Sequence, residues 1–159
     1  YGPAIWQRIT LKLTQIIEAN YFEMKKIPIK MVSAIALVDV DNKVLIAQRP
    51  KNKFMEGFWE FPGGKLEANE LPDDCIIREV KEELGVDLSN SCFSPLTFTK
   101  FDYEEFSVII FLYLSREWEG FIKPKENQNL KWVRPNELFE INMLPADTPL
   151  ISFVRDNVS

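Results

Sequence analysis

The clearest absence in this 159-residue chain is histidine, which does not occur at all. Catalysis by Ser-His-Asp or Cys-His groups, zinc or haem held by imidazole, and histidine-based pH switching are therefore excluded. Proton transfer and metal binding must instead fall to carboxylates, Lys, Tyr, Cys or main-chain groups.

Cysteine and long apolar runs are also scarce. The two cysteines, Cys75 and Cys92, have no CxxC spacing, which argues against a disulfide framework or a zinc site. We expect both to be buried, reduced thiols in a cytoplasmic protein. No apolar run reaches the roughly 18 residues that would span a bilayer, so no membrane partner is expected.

Basic residues are fewer than acidic residues, with 19 Lys and Arg against 24 Asp and Glu, which gives a net charge of −5. Because the chain lacks a net basic surface, we expect no nucleic-acid duplex as a partner. The 46% of hydrophobic residues describe one globular domain with a buried core, expected to be a monomer or a weak dimer.

Residues 1–28 differ in pattern from the rest of the chain. Apolar residues recur here at roughly helical spacing: Ile9, Leu13, Ile16, Ile17 and Tyr21. The spacing predicts an amphipathic arm or helix that packs on the main domain or on a neighbour. A cleavable transit segment is a weaker interpretation, because only two basic residues precede the first acid. Met24 is also a candidate translation start.

From residue 29 to 159 the pattern predicts a single domain in which strands alternate with helices. The predicted strands form hairpins over 31–49 and 94–115, with further strands at 58–61 and 130–133. The predicted helices span 72–84, 136–140 and 148–156, the first with Pro72 at its start and Gly85 at its end. This order predicts an α/β domain in which a mixed β-sheet is sandwiched between α-helices.

Acidic residues concentrate around the predicted 72–84 helix, because residues 63–86 hold seven acids and three bases. Glu79, Glu82 and Glu83 stand at i, i+3 and i+4 and so share one helical face, which is unfavourable for the helix alone. One interpretation is a solvated acidic face, and the other is a face that binds a divalent cation. Oxygen ligands favour Mg²⁺ or Mn²⁺, and such Mg²⁺ sites commonly act on polyphosphates.

The spacing in this segment is similar to the signature of the Nudix hydrolases. Gly64, Glu70 and the run from Arg78 to Val86 fall at the fixed positions of that signature. The preceding run, residues 59–65 (WEFPGGK), and the segment 144–151 resemble the MutT branch, so the similarity extends over about residues 24–151. The resemblance implies the Nudix fold.

The same resemblance implies an activity. Enzymes of the MutT branch hydrolyse 8-oxo-dGTP to 8-oxo-dGMP and pyrophosphate with Mg²⁺, and Mn²⁺ is the alternative ion. This reaction removes oxidised purine nucleotides from the pool and so prevents mutation during DNA replication. CTP, a methylated nucleotide or a dinucleotide is an alternative substrate. A different class of function is a nucleotide sensor or partner-binding module without turnover.

Individual roles also follow from the resemblance. The implied metal ligands are the Gly63 carbonyl and the carboxylates of Glu79, Glu82, Glu83 and Glu126. The implied catalytic residues are Arg78, which would hold Glu79, and Glu79, Glu82 and Glu83, with Glu79 as base or ligand only. The implied substrate-binding residues are Arg49, Phe61, Lys65, Tyr103 and Asp147. Glu126 is alternatively an ordinary exposed loop acid, the aromatic residues are alternatively core residues, and Glu70 is a structural partner.

Two positions depart from the bacterial enzyme that best matches the pattern. Asp147 stands where that enzyme has Asn, and an ionised Asp only accepts hydrogen bonds, which suits the N1–H and amino donors of a guanine edge. Phe106 replaces an Arg near the base. The nucleobase pocket is therefore expected to differ in detail.

Overall fold

The chain folds into seven strands and three α-helices, seen in a computed structural model that describes residues 2–24 and 27–158, without the side chains of 21–24. The strands are β1 (Ile29–Leu37), β2 (Val44–Gln48), β3 (Trp59–Glu60), β4 (Gly63–Lys65), β5 (Phe93–Asp102), β6 (Ser107–Ser115) and β7 (Leu130–Val133). The helices are α1 (Pro3–Met24), α2 (Pro72–Leu84) and α3 (Ile151–Val158), with 3₁₀ turns at Pro135–Glu140 and Thr148–Leu150. No helix within the described ranges has the length and apolar character to cross a membrane.

The strands form two sheets. The larger has the order β4-β1-β6-β5 and is the predicted mixed sheet, because β1 and β6 run parallel while the other pairs are antiparallel. The smaller is antiparallel, with the order β3-β2-β7. The predicted hairpin over 94–115 is confirmed as β5 and β6.

The predicted hairpin over 31–49 is wrong. β1 pairs with β4 and β6, whereas β2 pairs with β3 and β7 in the other sheet. A single bridge between Val38 and Val44 marks the point where the two strands diverge. This divergence separates the two sheets and places the β2–β3 connection, residues 49–58, at the cleft described below.

Alternate residues of β1 face two parts of the core, as expected for a strand that is covered on both faces. Ile35 and Leu37 lie in the cluster formed with α2, whereas Ala34 and Ala36 lie in the cluster formed with α3. The larger sheet therefore lies between α2 and α3, which confirms the predicted sandwich.

Helix α2 has the predicted bounds. It begins with Pro72 at its first position and ends at Leu84, where it is capped by Gly85, whose φ of 73° is left-handed and favours glycine. Ile76, Val80 and Leu84 are fully buried and form the predicted apolar stripe. Burial of this stripe fixes the rotation of the helix, which places Glu79 and Glu83 beside β4 and leaves Glu82 exposed.

Helix α1 forms as predicted, but its predicted contact with the main domain is not found. Ile9, Leu13, Ile16 and Ile17 are all exposed. The side chain of Tyr21 lies outside the described residues. An apolar stripe at helical spacing identifies the helix without identifying what covers it, so a contact with a neighbour stays a prediction.

The two cysteines lie in different environments. Cys75 is buried in α2, with its thiol 3.5 Å from the Gly64 carbonyl oxygen, as predicted. Cys92 is exposed, so the prediction of burial is wrong there. It lies in the connection that leads into β5, at the edge of the larger sheet.

Candidate active site

A cleft of about 690 Å³ collects most of the predicted site residues. One group of lining side chains, here called the carboxylate cluster, consists of Glu60, Glu79, Glu83 and Glu126. A second group, here called the aromatic pocket, consists of Phe54, Phe61, Tyr103, Phe106 and Asp147. Gly63, Lys65 and Arg49 also line the cleft, whereas Arg78 and Glu82 lie outside its lining.

Two glycines of β4 allow close packing, Gly64 against a carboxylate of α2 and Gly63 against the backbone of β1. A Cβ at Gly64 would overlap the carboxyl group of Glu79, and a Cβ at Gly63 would overlap the carbonyl oxygen of Ser33 in β1. The Gly63 N–H donates to Glu83 Oε2 at 3.2 Å. The close approach of β4 to α2 thus forms a cradle for Glu79 and Glu83, one helical turn apart.

Arg78 links the helix to the segment that precedes it. Its guanidinium donates to both Glu70 oxygens, at 2.7 and 2.8 Å, and to Glu79 Oε1 at 2.8 Å. These hydrogen bonds hold the pKa of Glu70 low, at about 2. The contacts expected of Arg78 with Glu79 and Glu70 are therefore present, although a catalytic role for Arg78 stays a prediction.

Glu82 takes a different position from its two neighbours on the helix. Its carboxylate accepts from Arg78 at 3.2 Å, and its side chain is 56% exposed. To bind a metal ion in the cleft, the Glu82 side chain would have to turn away from Arg78. Of the predicted metal ligands, Glu82 is therefore the one whose position in this structure supports that role least.

Glu126 reaches the cleft although it is far from α2 in sequence. The Lys125 N–H and the Gln128 side-chain amide both donate to the Glu83 carbonyl at 2.9 Å. The Gln128 side-chain oxygen accepts from the Glu126 N–H at 2.9 Å. Because the last carbonyls of a helix lack partners within the helix, they bind this loop and so bring Glu126 to the cleft.

The carboxylate cluster carries more negative charge than its surroundings balance. Burial, with a smaller contribution from the nearby charges of Glu60, Glu79 and Glu126, raises the pKa of Glu83 to about 8. Burial also raises the pKa of Glu79, despite its bond to Arg78. A set of oxygen ligands with excess negative charge suits Mg²⁺ or Mn²⁺.

The acids are nevertheless not arranged as a finished metal centre. Among the residues that the structure describes, no three carboxyl or thiol groups stand close enough to share one ion. The donor chemistry and the cradle at Gly64 fit a divalent cation, and its binding requires the side chains of Glu79, Glu83 and Glu126 to converge.

Asp147 lies at the closed side of the aromatic pocket. The residue is 4% exposed, and its Oδ2 accepts from the Phe61 N–H at 2.9 Å. Burial raises the pKa of Asp147 to about 8, with a further contribution from Glu60. Burial therefore favours the neutral carboxyl group in the free protein, and the role of Asp147 as an ionised acceptor stays a prediction. A neutral carboxyl group offers one donor and one acceptor, as an Asn side chain does.

Tyr103 forms the centre of the aromatic pocket. Its ring lies 4.9 Å from Phe106 and 5.4 Å from Phe54, measured between ring centroids. The Lys30 Nζ lies 3.5 Å from the centroid of Phe106. The positive charge of Lys30 therefore lies beside position 106, although the side chain at that position is apolar.

Arg49 is engaged by protein groups rather than free for a ligand. It donates to both Glu60 oxygens, at 2.8 and 3.1 Å, and its Nε donates to the Phe54 carbonyl at 2.6 Å. In this arrangement Arg49 anchors the loop that follows it. Contact with a nucleoside stays a prediction for this residue.

Sequence reasoning missed several residues of the cleft, of which Lys53, Phe54 and Glu60 bear on the site. The signal for Glu60 was an acid inside an apolar run, Phe58 to Phe61. The other two residues lie in an irregular loop, where spacing does not determine direction.

The chain is similar to known Nudix proteins throughout the part that forms the cleft. The NUDIX domain family matches residues 29–154. An 8-oxo-dGTP diphosphatase from Proteus vulgaris is 38% identical over 95 residues, which cover 60% of this chain and 83% of that protein. A CTP pyrophosphohydrolase from Escherichia coli is 33% identical over 125 residues, covering 77% and 90%. A solved structure from work on MutT of Aliivibrio salmonicida and Vibrio cholerae has 28% identity and a TM-score of 0.67, covering 80% of this chain and 98% of that one.

Proposed function

The chain belongs to the Nudix hydrolase family, and from that premise we propose that it hydrolyses oxidised purine nucleoside triphosphates, with 8-oxo-dGTP as the main substrate. The products are 8-oxo-dGMP and pyrophosphate, and the cation is Mg²⁺, with Mn²⁺ as the alternative. The physiological role proposed is removal of mutagenic nucleotides from the pool.

One observation carries the proposal. A single cleft contains both a carboxylate cluster suited to a cation and a phosphate chain, and an aromatic pocket with a buried hydrogen-bonding group, Asp147. Planar bases are held by aromatic contacts and by hydrogen bonds along their edges. The cleft thus offers separate places for the phosphates and the base of one nucleotide.

Glu79 is proposed as the base that takes a proton from the attacking water. Its raised pKa favours proton acceptance, and Arg78 fixes the orientation of its carboxylate. When bound, a divalent cation lowers the pKa of water and neutralises charge on the bridging phosphate oxygens. Lys65, at the rim of the cleft, supplies a further positive charge for the phosphates.

CTP is the second candidate substrate, favoured by the 33% identity to a CTP pyrophosphohydrolase. The carboxylate cluster accounts for phosphate chemistry with either base, so the aromatic pocket must discriminate. A nucleotide-binding module without turnover is the third possibility, and the presence of all the signature carboxylates argues against it.

A nucleotide panel tests the proposal. The protein is incubated with Mg²⁺ and 8-oxo-dGTP, dGTP, CTP, a methylated nucleotide or a dinucleotide, and pyrophosphate is measured separately from orthophosphate. We expect pyrophosphate chiefly from 8-oxo-dGTP. Release chiefly from CTP would support the second candidate, and no release from any nucleotide would support a binding module.

The role of Asp147 is tested by a substitution pair. Asp147→Ala removes the polar group of the pocket, so we expect the ratio of kcat/KM for 8-oxo-dGTP over dGTP to fall about tenfold, the effect of losing one hydrogen bond to a base edge. Asp147→Asn keeps a donor and an acceptor and serves as the matched control, with a largely retained ratio. An unchanged ratio in Asp147→Ala would mean that the base is recognised elsewhere.

A further inference from the structure

An ion pair joins the carboxylate cluster to the loop of residues 50–57. Lys53 Nζ lies 3.2 Å from Glu126 Oε2, with the two side chains 50% and 40% exposed. Glu126 faces the same cleft as Glu79 and Glu83. The ammonium group of Lys53 is thus a protein cation placed beside acids that are suited to a metal cation.

The same loop carries one wall of the aromatic pocket. Phe54 follows Lys53 directly and lies edge-on to Tyr103 and Phe106, with centroid distances of 5.4 and 5.8 Å. The Phe54 carbonyl is held by Arg49, and the Gly57 N–H donates to the Arg49 carbonyl at 3.0 Å. Because Lys53 and Phe54 are adjacent in a closed loop, the contact made by one constrains the position of the other.

We propose that Lys53 is a positioning residue that couples cation binding in the cleft to the aromatic pocket. In the cation-free protein its ammonium group neutralises Glu126 and, together with the hydrogen bond from Arg49 to the Phe54 carbonyl, holds the 50–57 loop with Phe54 against Tyr103. A divalent cation that engages Glu126 repels the ammonium group, removes one of these two contacts and so loosens the loop. This inference rests on the cation site of the proposed function but not on the identity of the nucleotide.

The reason for competition is electrostatic. A carboxylate with 40% exposure gains little from a second cation once the first has neutralised it, and two cations on one carboxylate repel each other. A strongly hydrated ammonium group on a flexible stem returns to solvent at little cost. Lys53 therefore yields to a divalent cation, and its removal leaves Glu126 more available.

Binding of Mn²⁺ alone tests the competition without any nucleotide. The free-ion EPR signal is measured during titration of the wild type, Lys53→Met, Lys53→Arg and Lys51→Met, an exposed lysine of the same loop. We expect Lys53→Met to bind Mn²⁺ about two- to fivefold more tightly, the range of one partly exposed ion pair. Lys53→Arg and Lys51→Met should match the wild type.

Limited chymotrypsin cleavage after Phe54 tests the loosening of the loop. Mg²⁺ should accelerate this cleavage in the wild type and in Lys53→Arg. In Lys53→Met, cleavage should be fast with or without Mg²⁺. Equal Mn²⁺ binding in Lys53→Met and the wild type, or cleavage in the wild type that Mg²⁺ leaves unchanged, would overturn the role of Lys53. Failure of the wild type to bind any cation would overturn the proposed function as well.

Discussion

Among single residues, Glu83 shows how a candidate catalytic role and the stability of the fold oppose each other. Its buried carboxyl group has a pKa of about 8 in the cation-free protein, so ionisation is unfavourable there. We expect Glu83→Gln to lower kcat by at least about 100-fold, because a ligand of the cation is lost. In EDTA at pH 8 to 9, the same change should raise the free energy of unfolding by about 1–2 kcal/mol, because a buried charge is removed.

Glu82→Gln is the matched comparison for Glu83→Gln. If Glu82 is also a ligand, it should lower kcat to a similar extent. It should not raise the free energy of unfolding, because Glu82 is largely exposed and pairs with Arg78. Chemical denaturation in EDTA and steady-state kinetics separate the two effects. Retained activity in both variants would contradict the metal assignment.

Asp147 is expected to make stability depend on pH. Its pKa is about 8 in the folded protein, whereas an Asp in an unfolded chain titrates near 4. Between these values the folded state holds one proton more than the unfolded state, so the free energy of unfolding falls as pH rises from about 4 to 8. By linkage the loss is at most roughly 5 kcal/mol.

Denaturation from pH 4 to 9 measures this effect. In Asp147→Asn the decline over the same range should be smaller, because the titrating group is gone while the hydrogen bond from the Phe61 N–H remains possible. Glu83 titrates in an overlapping range, so Glu83→Gln provides the comparison. Superimposable profiles for the wild type and Asp147→Asn would show that Asp147 does not titrate as proposed.

At the scale of elements, the C-terminal cap of α2 affects both the stability of the fold and the loop that carries Glu126. Gly85 has a φ of 73°, and a Cβ there would approach the Lys125 side chain to 2.8 Å. We expect Gly85→Ala to lower the free energy of unfolding by about 1–2 kcal/mol, mainly because of the left-handed backbone. Gly85→Asn should lower the free energy of unfolding less than Gly85→Ala does, because Asn tolerates the left-handed conformation better than Ala. Urea denaturation distinguishes them, and equal stability of all three proteins would contradict this account.

The elements differ in how far the sequence predicted them, for physical reasons. The sequence predicts helix α2 to the residue, because its start and stop signals and its apolar stripe are all local. The hairpin predicted over 31–49 does not form, because β1 pairs instead with β4 and β6, and these partners are not adjacent to it in sequence. The same holds within the site: the signature identified the glutamates of α2, whereas Lys53 reaches Glu126 across 73 positions of the chain.

At the scale of the whole molecule, the cleft depends on elements that the family resemblance covers, and α1 is not among them. The carboxylate cluster comes from β3, α2 and the loop of residues 120–129. The aromatic pocket comes from the segments that flank β3, the connection between β5 and β6, and Asp147 before the turn Thr148–Leu150. All of these lie between residues 49 and 147. The larger sheet joins them, because β1 and β6 carry the floor of the cleft on one face and α2 on the other.

Removal of α1 tests whether the domain is independent of it. Every described side chain of residues 2–20 is exposed, so its deletion removes little buried apolar surface. We expect a chain that starts at Met24 to keep the Tm, the Mn²⁺ affinity and the kcat/KM of the full chain. Analytical ultracentrifugation of both proteins measures self-association. If α1 packs against a second copy of the chain, only the full chain will self-associate. A large loss of Tm on truncation at a concentration where the full chain is monomeric would show instead that α1 stabilises its own domain.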